Sequence, residues 1–158
     1  MLKKIYNEVT REWDSSVEEA LKSFIRLPAL SPDFDKKWEE NGVLLKALEE
    51  AKAWAEKQGI KGLRCEIIKD DGFTPCLFIE VDATSDKKFE RSVFFYGHLD
   101  KQPPNEGWDP DKSAWEPVIQ NGRLYGRGAV DDGYAFYTSL AAASVTSIFT
   151  FSSISLHL

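Results

Sequence analysis

Ser92-Val93-Phe94-Phe95-Tyr96-Gly97-His98-Leu99-Asp100 is the stretch on which the fold turns. Residues 93–96 are apolar or aromatic without alternation. Such a run predicts a strand covered on both faces, as in the parallel sheets of α/β proteins. Gly97 lets the chain bend at the strand's end, and His98 and Asp100 follow at once. Open α/β sheets place ligand crevices beyond the carboxyl ends of their strands. Thirty-three positions after His98, an aspartate pair stands in a glycine-rich turn, Tyr125-Gly126-Arg127-Gly128-Ala129-Val130-Asp131-Asp132-Gly133-Tyr134. Imidazole nitrogen and carboxylate oxygen both suit a divalent metal such as zinc. A ligating histidine commonly gives its other N–H to a carboxylate, and Asp100 is placed to accept it. Plainer readings exist. A histidine after an apolar strand can be structural, Asp131 or Asp132 can cap a helix, and Gly126, Gly128 and Gly133 can serve the turn alone. The residues by themselves leave both readings open.

Outward from this centre, helices and strands alternate. Val17, Ala20, Leu21, Phe24 and Ile25 share one face of a helix near Ser15 to Leu27, with Asp14, Ser15 and Ser16 as N-cap candidates and Pro28 as its stop. A second helix runs from about Trp38 to Gln58, ended by Gly59. Strands are predicted at Leu63–Lys69, Cys76–Val81 and Ser92–Gly97. Asp70-Asp71-Gly72 turns the first two into a hairpin, and Asp82-Ala83-Thr84-Ser85-Asp86 forms the next turn. A loop from Lys101 to about Ala114 leads to a turn at Asn121-Gly122, and a helix begins after Asp132. The predicted class is α/β: a mostly parallel sheet flanked by helices, with an antiparallel hairpin at one side.

Length and composition set the outer bounds. One domain is expected from 158 residues, with 42% apolar and 13% aromatic residues to build a core. A net charge of −6, with no basic stripe, argues against a nucleic-acid partner. Cys65 and Cys76 have no paired spacing and read as buried free thiols in strands. The first residues lack an apolar signal segment, and together with the thiols this points to the cytosol.

After Asp132 the sequence has no Asp, Glu, Lys or Arg, and nine of the 21 residues from Thr138 onward are Ser or Thr. That Ser/Thr density, without a basic anchor, argues against a membrane span. Ser147 to Leu158 is expected to be an exposed, β-prone, uncharged tail and an aggregation hazard. Composition shifts near Ser144, so the predicted division is 1–144 and an atypical tail, 145–158. His157 reads as a tail residue.

Tyr96-Gly97-His98-Leu99-Asp100-Lys101-Gln102-Pro103-Pro104, Gly107-Trp108, Trp115-Glu116-Pro117 and Gly122 through Asp132 occur in an order and spacing that resemble the zinc-dependent dipeptidase and amidohydrolase family of carnosinase, PepV, carboxypeptidase G and succinyl-diaminopimelate desuccinylase. The tryptophan-containing loop is more similar to the carnosinase-like branch. The family often has Lys-Gly after the aspartate pair, where this chain has Gly133-Tyr134. That departure touches the turn and not a ligand.

The resemblance implies two zinc ions sharing a water, with His98 binding one ion, Asp131 bridging both, and Asp100 the catalytic-site carboxylate that orients His98. Asp132 would steady the turn or cap the helix. It implies hydrolysis of dipeptides or N-acyl amino acids, and no membrane partner. The family's general base, its further ligands and its lid and dimerisation domain find no counterpart among these residues. The resemblance therefore implies the amino-terminal part of a catalytic domain, from a truncated gene, shifted frame or alternative transcript, catalytically silent alone. The alternatives are an interaction fragment that pairs with a full-length relative, or homo-oligomerises, through exposed sheet edges, and a product without function.

Overall fold

The structure is a computed structural model that describes residues 2–83, 93–147 and 154–157. Helix α1 (Leu2–Glu12) passes through a π-type turn at Trp13–Val17 into α2 (Glu18–Arg26), with helical dihedrals at both joins. The predicted helix start at Ser15 is thereby corrected. Leu2, Ile5, Tyr6 and Val9 recur at helical spacing and extend the helix toward the amino terminus, and Asp14, Ser15 and Ser16 cap nothing. The Ser16 hydroxyl instead accepts a hydrogen bond from Trp54 Nε1 (3.0 Å) and donates one to Gln58 Oε1 (3.3 Å), tying this helix to the next. The predicted second helix is two. Short α3 (Trp38–Asn41) stops at Gly42, whose φ of 67° breaks the run, and α4 (Val43–Glu56) follows.

Strands β1 (Leu63–Ile68) and β2 (Cys76–Val81) pair antiparallel as expected, Leu63 opposite Val81. Strand β3 (Val93–Tyr96) fits its predicted place; Ser92, residues 84–86 of the expected turn and the 148–153 part of the expected tail lie outside the described residues. Asn121-Gly122 joins β4 (Val118–Gln120) to β5 (Arg123–Tyr125), both turn residues having positive φ, as a tight hairpin needs. Helix α5 (Tyr134–Ser147) begins where the sequence placed it. Strand β6 (Ile154–His157) completes a four-stranded sheet of order β1-β2-β6-β3.

Two expectations change here. The sheet is mixed and not mostly parallel: β6 runs antiparallel to β2 and parallel to β3. In the described sheet the β3–α5–β6 crossover gives the parallel pair, whereas β1 and β2 are joined as a hairpin and β6 lies antiparallel to β2. Residues 154–157, expected in a tail, form an inner strand, with His157 in register beside Tyr96 and Phe78. An uncharged β-prone run can lie between two strands where a charged one cannot.

The core fills one side of the sheet. Leu77, Ile79 and Val81 of β2 are buried against α4, and Phe24, Leu21, Ile25, Phe136 and Leu140 continue it. Trp54 meets Tyr137 and Phe136 edge-on, at centroid separations of 4.9 and 5.8 Å. Helix α5 carries no charge and buries Phe136, Tyr137, Leu140, Ala141, Ala143 and Val145, and no described helix is long and apolar enough to cross a membrane. The other face of the sheet is open. Phe94 and Tyr96 are 60% and 72% exposed, which corrects the reading of β3 as covered on both faces. The apolar run is real, but among the described residues helices pack on one face only. Cys65 and Cys76 are free and half-buried, and burial pushes the Cys65 thiol up to about 11.

Candidate metal centre

Two loops build the site. The first leaves the carboxyl end of β3 at Gly97 and carries His98, Leu99 and Asp100. Leu99 is buried and anchors the loop from below. The second is the turn between β5 and α5. Its three glycines do more than turn the chain. Gly128 has a φ of +83°, and a Cβ there would stand 2.8 Å from Lys101 Cε. A Cβ at Gly133 would collide with the Phe24 ring and with Gly128 O. Bare backbone lets the turn lie against the end of α2. Asp131 and Asp132 leave helical dihedrals (φ −106°, ψ 94° and φ −126°, ψ 15°), and a cis peptide joins them.

The two loops bring the predicted residues together. Asp131 Oδ1 is 3.3 Å from His98 Nε2, and Asp100 Oδ1 is 3.0 Å from His98 Nδ1. The Asp100 carbonyl also lies 3.2 Å from Nδ1. A neutral imidazole has one N–H. With that proton on Nδ1, donated to Asp100, the Nε2 lone pair faces the oxygen of Asp131. A cation between them turns this unfavourable contact into a favourable one. The spacing suits one: two donors of a tetrahedral zinc, each at roughly 2.0–2.2 Å, stand about 3.3–3.6 Å apart. His98 and Asp131 are 37% and 60% exposed, so an ion can reach them. Among the described residues no set of three His, Cys, Asp or Glu side chains is gathered for one ion.

Sequence reasoning missed two features. One is the reach of Asp132. Its Oδ2 accepts the His98 backbone N–H at 3.3 Å, a link across 34 positions that no local pattern announces. Lys101 is 1% exposed, the one fully buried charged residue among those described. Its Nζ donates to the carbonyls of Phe24 (2.5 Å), Leu27 (2.6 Å) and Ile25 (3.3 Å), at the carboxyl end of α2. Burial pulls its pKa down to about 7. Against that, three carbonyl oxygens stand within hydrogen-bond reach of Nζ and only the ammonium has an N–H for each, and the negative end of a helix favours that form further. Beside the site, a cavity of about 360 Å³ opens between Leu44, Leu48, Thr74, Pro75 and the His98–Asp100 loop.

Residues 94–149, which hold both loops, match peptidase family M20/M25/M40. Over its site, this chain resembles an M20 metallopeptidase. The M20 resemblance read from the motifs is thereby supported by independent matches. Succinyl-diaminopimelate desuccinylase of Sphingopyxis alaskensis is 48% identical over 54 residues, 34% of this chain and 14% of that enzyme. The desuccinylase of Acidiphilium cryptum is 50% identical over 48 residues, 30% of this chain and 12% of that enzyme. Among solved structures, human carnosine dipeptidase 1 superposes with a TM-score of 0.75 at 21% identity, over 99% of this chain and 34% of that one. The M20 metallo-carboxypeptidase Sso-CP2 of Sulfolobus solfataricus gives 0.68 at 21% identity, over 89% of this chain and 30% of that one. These likenesses establish the α/β fold. The chain thus spans a small fraction of its curated M20 relatives.

Proposed function

We propose that this chain supplies His98 and Asp131 to the metal centre of an M20-type metallopeptidase, with zinc as the ion and Asp131 shared between two ions. One observation carries the reading: an imidazole with a carboxylate on each ring nitrogen, at 3.0 and 3.3 Å, inside the segment that matches the family. Asp100 fixes the tautomer that leaves Nε2 free to ligate and raises its basicity. Asp132 holds the His98 backbone against the turn that carries Asp131. A zinc ion held there would polarise the scissile carbonyl and acidify a water.

The substrate class that fits the relatives is a dipeptide or an N-acyl amino acid. The described residues, β6 included, are proposed as the amino-terminal part of the catalytic domain, in place of a domain that ends at 144. Among the described residues two such ligands meet, short of the three protein donors a catalytic zinc normally has. Taken alone they are expected to bind zinc weakly and to hydrolyse nothing. Unpaired Cys65 and Cys76 suit a reducing compartment such as the cytosol. β1 and β3 are the outer strands of the described sheet, the edges through which copies would pair.

The test is calorimetric titration with zinc, beside a peptidase assay. Zinc binding that His98→Ala removes supports the reading. Undiminished binding by that variant refutes it.

A further inference from the structure

We propose that Lys101 is the positioning residue of this site: its buried side chain pins the His98 loop and the Asp131 turn to one frame, the carboxyl end of α2. The proposal deepens the metal-centre reading and rests on it.

Lysine is almost never fully buried without partners. Here the partners are the backbone carbonyls of Phe24, Ile25 and Leu27 at the end of α2, where Phe24 O and Leu27 O each also accept one backbone N–H, from Leu27 and Ala29. A solvent-facing lysine could cap them equally well. What burial adds is the route. The stem starts one residue after Asp100 and passes Gly128, close enough that a Cβ there would touch Cε at 2.8 Å. Its Nζ ends 3.8 Å from the centroid of the Phe24 ring, and Gly133 lies against that same ring.

The backbone of Lys101 is tied as well. Its N–H donates to Ala29 O (2.8 Å) and its carbonyl accepts from Ser31 N (2.9 Å). The loop bearing His98 is thus fastened at three points to the chain leaving α2. The turn bearing Asp131 is packed on the fastening itself. Neither loop can move toward or away from the other without displacing this stem. The 3.3 Å between His98 Nε2 and Asp131 Oδ1 is therefore set from beneath, by a residue that touches neither.

The test uses the full chain with ¹⁵N-labelled histidine, the His98 signals being assigned with His98→Ala. In the wild type the neutral ring should be a single tautomer, protonated at Nδ1 against Asp100. Lys101→Met keeps the length and removes the ammonium. In the folded variant the ring should become a mixture of tautomers. Zinc affinity, read by competition with a chromogenic chelator, should fall about tenfold or more, as when a group behind a ligand is lost.

A folded Lys101→Met protein with wild-type ring signals overturns the proposal, however much its Tm has dropped. A wild-type ring that is already a mixture overturns it too. Where Lys101→Met does not fold, Gly128→Ala pushes the stem from the other side and must disturb the ring in the same way; unchanged signals refute the pin. A wild type that binds no zinc defeats the metal reading instead, and the tautomer measurement still decides on Lys101.

Discussion

The two loops of the site are held by opposite means. The His98 loop is fixed by what it has: the buried Leu99, the Lys101 ammonium and its backbone bonds to Ala29 and Ser31. The Asp131 turn is fixed by what it lacks, since Gly128 and Gly133 sit where a Cβ would meet Lys101 and Phe24. The first kind of anchor fails when a group is removed, and the second fails when one is added. Side-chain truncation and side-chain insertion should therefore have opposite targets in the two loops.

The largest effect is expected at the ligand itself. His98→Ala should abolish measurable zinc binding in calorimetry while leaving the thermal transition near that of the wild type, because His98 is 37% exposed. Next comes insertion in the second loop. Gly133→Ala drives a methyl into the Phe24 ring, and overpacking of this kind costs roughly 1–3 kcal/mol, sometimes more. Urea unfolding should show it, and Ala at Gly72, whose Cβ would meet nothing, should cost only the strain of its positive φ of 80°.

Smaller again, Asp100→Asn keeps the shape but loses the charge behind His98. Zinc affinity should fall about 10- to 100-fold, with stability little changed. Equal losses of affinity and stability would erase the distinction between anchor and orienting group. The smallest effect lies outside both loops. Cys65 is raised from 9.0 to about 11 by burial, so the folded state favours its thiol. Its stabilising contribution is complete below about pH 9 and is lost as pH rises toward 11. Tyr137 is shifted the same way by burial. The denaturation midpoint should drop on the alkaline side, and Cys65→Val should reduce that slope without altering the behaviour of either loop.

Much of this arrangement is legible in the sequence. Cys76–Val81 is a strand at the bounds its β-branched, half-buried pattern implies, and Asn121-Gly122 is the turn its residues demand. The meeting of His98 and Asp131 is legible because strand end and turn each carry local punctuation. Lys101 was not, since nothing nearby in the chain reveals three carbonyls 74 to 77 positions away. Asp132, read as steadying the turn or capping the helix, takes an N–H 34 positions away, which no local pattern announces. The bare face of β3 misled differently. Apolar continuity reports that a strand can be covered, and says nothing about whether a layer is there to do it.

Strand order also has a consequence for how the site matures during synthesis. Hairpin β1–β2 can form as soon as Val81 has left the ribosome. The described sheet partner of β3 is β6, which begins at Ile154, 61 positions beyond Val93. Until that segment emerges, β3 lacks its described sheet neighbour, and the hairpin and the metal-binding end are joined through the described sheet only once β6 has been made.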